Sequence, residues 1–91
     1  MAKQQRLVHF FGTVQGVGFR YTACRVAAGY EVGGYVRNLA DGSVECLAEG
    51  DPAEIDGFLA ELARRMTGYI HRQSQQTAAY SGAFESFGVR F

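Results

Sequence analysis

The sequence is poor in the residues that carry most metal and redox chemistry. Its 91 residues include two cysteines, Cys24 and Cys46, and two histidines, His9 and His71. The cysteines lack the close spacing of metal ligands, and no His or second Cys clusters beside either. Neither begins the Cys-x5-Arg spacing of a cysteine phosphatase, so a phosphocysteine route is not expected. No metal and no cofactor are expected. The default for the pair is reduced thiols in a cytoplasmic protein; a disulfide stays open, without support from the sequence. Charge of one sign is also missing: nine basic residues cancel nine acidic ones. No global field therefore draws the chain to nucleic acid or to a membrane surface. Lysine is nearly absent, Lys3 being the only one. No apolar run is long enough to cross a bilayer, and the polar start "MAKQQR" does not read as a signal peptide. Repeats, linkers and low-complexity segments are lacking too. The expectation is one domain over residues 1–91 with a single modest core, cytoplasmic and monomeric.

What is present is a run of periodic segments. "RLVHFFGTV" (6–14) alternates as a strand, with Val8, Phe10 and Val14 on one face. Phe19, Ala23, Val26, Ala27 and Tyr30 recur at helical spacing, predicting a helix from Phe19 to about Gly29. Gly33 and Gly34 break the pattern, "YVRN" reads as a strand, and "ADG" (40–42) as a turn. "SVECLAE" is a strand with Val44, Cys46 and Ala48 inward. A second helix is signalled by Asp51 as cap, Pro52 in the first turn and Glu54 at the capping-box position. Its apolar stripe is Ile55, Phe58, Leu59, Leu62 and Met66. "YIHRQSQQ" reads as a strand with a polar outer face, "TAAYSG" as a loop and "FESFGVRF" as a last strand. Strand, helix, strand, strand, helix, strand is the order of the ferredoxin-like βαββαβ sandwich, an α+β fold with two helices on one face of an antiparallel sheet. The third strand is then expected between the first and second, which run parallel.

That topology gives two places a chemical reading. "GTVQGVGFR" (12–20) leaves a strand and enters a helix, so free N–H groups and the helix dipole favour an anion there. Gly16 and Gly18 let an oxygen-rich group approach the backbone, and Arg20 adds a two-pronged donor suited to phosphate. For the glycines alone, a tight turn with a surface arginine is the favoured reading, and no GK[ST] follows to make a Walker loop. Asn38 ends the second strand, about 10 Å across the sheet by two strand spacings. Its amide could orient a water beside a phosphate, although Asn is also common turn chemistry in "NLADG".

The heptapeptide "VQGVGFR" followed by "VRN" and "DG" resembles the acylphosphatase family, from about Leu7 to Gly50 and again at "FESFGVRF". The resemblance implies metal-free hydrolysis of acyl phosphates to a carboxylate and inorganic phosphate. It implies that the loop Gln15, Gly16, Val17, Gly18, Phe19 and Arg20 holds the phosphate, with Arg20 and Asn38 catalytic. In the resemblance, Asn38 orients the attacking water. The sequence departs from the family pattern at Glu31, where a glycine commonly ends the first helix, leaving Gly29 to take the turn. It departs again in "RRMTGYI", which lacks the usual Gly-Pro.

Two other functions share the element order. An RNA-recognition module is faintly echoed by "GYVRN", though on the second strand instead of the third and with Asn38 where an aromatic is expected. A carbamoyl-phosphate-binding domain of a larger machine is the other. Phe11 and Tyr35 are expected on the uncovered sheet face, His9 faces away from the helices and His71 lies on an outer strand. Sequence places neither histidine near a carboxylate. Cys46 and Met66 read as core, and Cys24 falls off the helix stripe.

Overall fold

The computed structural model describes residues 2–91. The elements are β1 (Gln4–Gly12), α1 (Phe19–Ala27), β2 (Gly33–Asn38), β3 (Val44–Gly50), α2 (Pro52–Arg65), β4 (Ile70–Ala79) and β5 (Phe87–Val89). The sheet order is β4-β1-β3-β2-β5. As expected, β3 lies between β1 and β2 and is antiparallel to both. The ferredoxin-like sandwich forms, but β5 pairs parallel to β2, so the sheet is mixed and not wholly antiparallel.

The apolar alternation of the strands and the stripes of the helices meet in one cluster. Val8 and Phe10 of β1, Val36 of β2 and Val44, Cys46 and Ala48 of β3 pack against Phe19, Ala23 and Val26 of α1. Ile55, Phe58 and Leu62 of α2, with Leu59 and Met66, close the same cluster, so both helices cover one sheet face. Tyr30 lies beyond the end of α1, half-buried, with its hydroxyl donating to Glu61 Oε1 at 3.0 Å.

Element edges differ from the sequence pattern for local reasons. β1 stops at Gly12, two residues before Val14, because its register with β4 shifts between Phe11 and Gly12. Val14 is buried all the same. Gly33 and Gly34 do not separate elements; they begin β2. Gly34 has φ +144°, and a Cβ there would lie 1.8 Å from the carbonyl oxygen of Leu47. Only glycine lets β2 approach β3 so closely. Gly29 does not take a left-handed turn; α1 ends through right-handed Ala28. At the start of α2, Asp51 is the N-cap residue, but its side chain makes no cap bond. Glu54 instead accepts from the Glu31 N–H at 2.8 Å, tying the end of the α1–β2 connection to α2. β4 runs on to Ala79 and absorbs the first residues of the expected loop, whereas β5 is only three residues long.

The sheet face away from the helices is not bare at its centre. Every residue of β3 is buried, including Glu45 and Glu49. Register places His9 and Arg37 directly across from Glu45 on the two neighbouring strands. The Glu45 carboxylate accepts from Tyr35 Oη at 2.7 Å and Arg37 Nε at 2.8 Å, and pairs with His9 Nε2 at 2.9 Å. His9 therefore does have a carboxylate partner, which only strand register could supply. Tyr35, expected as an open aromatic, is buried under the Arg90 guanidinium, 4.0 Å from its ring centroid. Phe11 is half-buried, with Arg72 over its ring at 3.9 Å. Glu49 accepts from Gln5 Nε2 and the Ser81 N–H, and so anchors the loop after β4.

Burial alone would raise both carboxyls. Hydrogen bonds from Tyr35, His9 and Arg37 outweigh it at Glu45, and those from Ser81, Gln5 and Gly82 outweigh it at Glu49. Each is held below the ordinary Glu value. The stabilisation is then complete above the unfolded value, about 4.3, and is lost as pH falls through the lower folded values. Thermal denaturation scanned from pH 7 to 2 is expected to show a steady Tm above that range and a steep fall below it. Glu45→Gln and Glu49→Gln should each flatten the acid limb; a limb unchanged in both variants would assign the acid loss to other carboxylates.

Candidate active site

The loop between β1 and α1 is shaped by its glycines. Gly16 and Gly18 both have φ +78°, and no non-glycine residue has positive φ among the described residues. The sign of φ therefore alternates along residues 15–19, which turns successive N–H groups toward a common side, as in anion-binding nests. The space where a Cβ would project at either glycine is empty. The requirement is thus one of backbone conformation, and the open space leaves room for a ligand. Val17 packs against the core and Phe19 is buried, with its ring 5.1 Å from that of Phe10. These two side chains pin the loop while its glycines stay exposed.

Gly18 is the N-cap residue of α1, and no side chain caps it. The first turn carries no acidic residue. The first helical bond is Thr22 N–H to the Gly18 carbonyl at 2.9 Å, which leaves the preceding N–H groups free for an anion. Arg20 stands in this turn. Arg6, Arg37 and Arg65 are each paired with a carboxylate, but among the described residues Arg20 has no such partner. Its guanidinium lies 5.3 Å from the centroid of the Phe91 ring.

Asn38 closes β2 opposite Val44. Beyond it the turn is tightly bonded: Leu39 N–H donates to the Ser43 carbonyl at 2.9 Å, and Asp41 Oδ1 accepts from Ser43 N–H at 2.9 Å. Those hydrogen bonds from Ser43 hold the Asp41 carboxyl below its ordinary value. The Gln15 side chain crosses to this turn. Its Nε2 donates to the Leu39 carbonyl at 2.8 Å and to the Ser43 carbonyl at 2.9 Å. Gln15 is thus engaged through its Nε2 in tying the loop to the segment after Asn38. Among the described residues, the side-chain bonds that hold this turn come from Gln15, Asp41 and Ser43 and do not involve the Asn38 amide.

Gly16, Gly18, Phe19, Arg20 and Asn38 line one open cavity of about 400 Å³. Of the residues singled out from the sequence, Gln15 and Val17 are not among those that line it: Gln15 bonds to the turn after Asn38 and Val17 packs against the core. Val14, Tyr21, Cys24, Val89 and Phe91 also line it, and sequence reasoning missed them as site residues. The alternation of "FGVRF" was the available signal for the last two, but it has no meaning until the pairing of β5 with β2 is known. Burial raises the Cys24 thiol above its ordinary value, which keeps it protonated and weakly nucleophilic at neutral pH. Cys46 is fully buried, with its thiol likewise raised by burial. Among the described residues no three His, Cys, Asp or Glu side chains cluster as metal ligands.

A cavity lined by left-handed glycines, a helix N-terminus, an arginine without a carboxylate partner among the described residues and an asparagine offers donors of the kind that suit a phosphate and a water. The sequence profile of the Acylphosphatase family matches residues 7–89. The chain is similar to the acylphosphatase of Paenarthrobacter aurescens, 42% identical over 79 residues that span 86% of this chain and 84% of that one. It is 40% identical to the acylphosphatase of Pasteurella multocida over the full length of both. Its fold matches the crystal structure of acylphosphatase from Bacillus subtilis with a TM-score of 0.85 and 29% identity, over 98% of this chain and 99% of that one. From its glycine loop to its last strand, this chain belongs to the acylphosphatase family.

Proposed function

We propose that the protein hydrolyses the carboxyl–phosphate bond of acyl phosphates, without a metal, by in-line attack of water. The observation that carries this reading is the single cavity onto which Gly16, Gly18, Arg20 and Asn38 converge from the ends of β1 and β2. In it, the N–H groups of the loop from Gln15 to Arg20 and the Arg20 fork bind the phosphoryl oxygens. They meet charge that grows on those oxygens in the transition state. Asn38 holds the water in line with the bond to be broken. The water oxygen bonds to phosphorus, the bridging P–O bond breaks, and its electron pair leaves with the carboxylate. A carboxylate is a good leaving group, so no general acid is needed. The proton of the water passes to a phosphoryl oxygen, so no side-chain base is needed either.

On this reading the chain is one domain over residues 1–91, a cytoplasmic monomer whose partners are an acyl phosphate and inorganic phosphate. The RNA-recognition alternative would use Tyr35 as a stacking platform, but Arg90 covers that ring and Glu45 holds its hydroxyl. The decisive assay is phosphate release from benzoyl phosphate, with and without EDTA. Turnover is expected to survive excess EDTA unchanged. Loss on chelation with recovery on adding Mg²⁺ would overturn the metal-free mechanism, and no release under either condition would overturn the hydrolase.

A further inference from the structure

The cavity has a second, apolar end. Beside the loop, Arg20 and Asn38, it is lined by Tyr21, Val89 and Phe91. These side chains face solvent: Tyr21 is 66% exposed, Val89 41% and Phe91 97%. An aromatic ring that packs on almost nothing in its own fold, at the mouth of a cavity, is informative in a way that a scattered surface apolar residue is not.

The position of Phe91 follows from strand geometry. β5 pairs with β2 in the register Val36 to Val89, and the Arg90 N–H donates to the Val36 carbonyl at 2.9 Å. The backbone is therefore held up to the residue before Phe91. The Arg90 side chain lies over Tyr35 on the face away from the helices. Side chains alternate along an extended chain, so Val89 and Phe91 project to the opposite side, where α1 begins. This puts the Phe91 ring 5.3 Å from the Arg20 guanidinium. In an acyl phosphate the acyl carbon is two bonds from phosphorus. Once Arg20 and the loop hold the phosphoryl group, the substituent on that carbon emerges beside this ring.

We infer that Phe91, flanked by Val89 and Tyr21, forms the acyl-group subsite and selects acyl phosphates with flat or extended apolar acyl groups, aroyl phosphates above all, over acetyl phosphate. The inference rests on the hydrolase reading given above. It adds a determinant of selectivity to a reaction whose phosphoryl end is served by other residues. An aromatic pair contributes about 2- to 10-fold in binding. The expected selectivity is of that size.

The test compares kcat/KM for benzoyl phosphate and acetyl phosphate in the wild type, Phe91→Ala and Phe91→Leu, with inhibition by inorganic phosphate measured alongside. Phe91 is too exposed for its truncation to threaten the fold, and circular dichroism checks this. In Phe91→Ala the benzoyl-to-acetyl ratio should fall about fivefold, with the loss in KM for benzoyl phosphate, while Phe91→Leu keeps part of the preference. An unchanged ratio would overturn the subsite. Equal losses on both substrates with weakened phosphate inhibition would also overturn it, because the ring would then act through Arg20 alone. A wild type inert toward both substrates would remove the hydrolase reading itself, an outcome distinct from activity without selectivity.

Discussion

Asn38→Ala is expected to lower kcat by about 10²–10³ while leaving competitive inhibition by inorganic phosphate nearly unchanged. The split follows from where the residue stands. Asn38 reaches the cavity from the end of β2, across the sheet from the loop proposed to receive the phosphoryl group. Its amide is not spent on the turn that follows, because Gln15 and Ser43 satisfy that turn without it. In the proposed role, a side chain that holds the water contributes little before the water attacks and much as it does. Its loss therefore removes positioning in the transition state, roughly 3–4 kcal/mol, and not ground-state affinity. Rates and product inhibition measured on a variant shown to be folded check this. A folded Asn38→Ala enzyme that turns over like the wild type would reduce Asn38 to a turn residue.

Arg20→Gln is expected to damage both KM and kcat, lowering kcat/KM on the order of 10³ or more, and to weaken inhibition by inorganic phosphate in parallel. Arg20 has no carboxylate partner among the described residues and stands in an uncapped first turn without acidic residues. Its charge is thus available to the phosphoryl group in the ground state and to the larger charge of the transition state. Arg20→Lys is the finer test. It keeps the charge but replaces a planar fork by a point donor on a stem, so substantial impairment is expected. Lysine that restores full activity would show that charge alone matters and that the fork does not. Stability should barely change in either variant, since Arg20 forms no ion pair among the described residues, and the melting temperature tests this separately.

Much of the architecture was legible because it depends on local pattern. The stripe Ile55, Phe58, Leu59, Leu62 and Met66 and the start at Asp51 and Pro52 marked α2 correctly, since helix periodicity and first-turn chemistry are properties of neighbouring residues. The turn at residues 40–42 forced β2 and β3 to pair antiparallel, and the element order then placed β3 between β1 and β2. Strand edges were less legible. Nearly all of β4 is exposed, so its side chains carry no burial pattern, and it is a strand because its backbone pairs along β1. Gly34 looked like a break because nothing in its flanking residues reveals that Leu47 will lie against it.

The sequence by itself determined the groups through which the site is proposed to bind phosphate. Positive φ at Gly16 and Gly18, free N–H groups at a helix start and a nearby arginine are consequences of one contiguous stretch, 15–20. It also determined the family, through that stretch and "VRN" with "DG". Contacts between residues far apart in the chain were decided only by the tertiary structure. These are the bridge from Gln15 to the turn after Asn38, the pairing of His9 with Glu45 and the approach of Phe91 to Arg20. Each depends on strand order and register, and a shift of one residue would turn every side chain of the strand to the opposite face. A local pattern specifies which groups a segment can offer; the packing of the sheet specifies which of them meet.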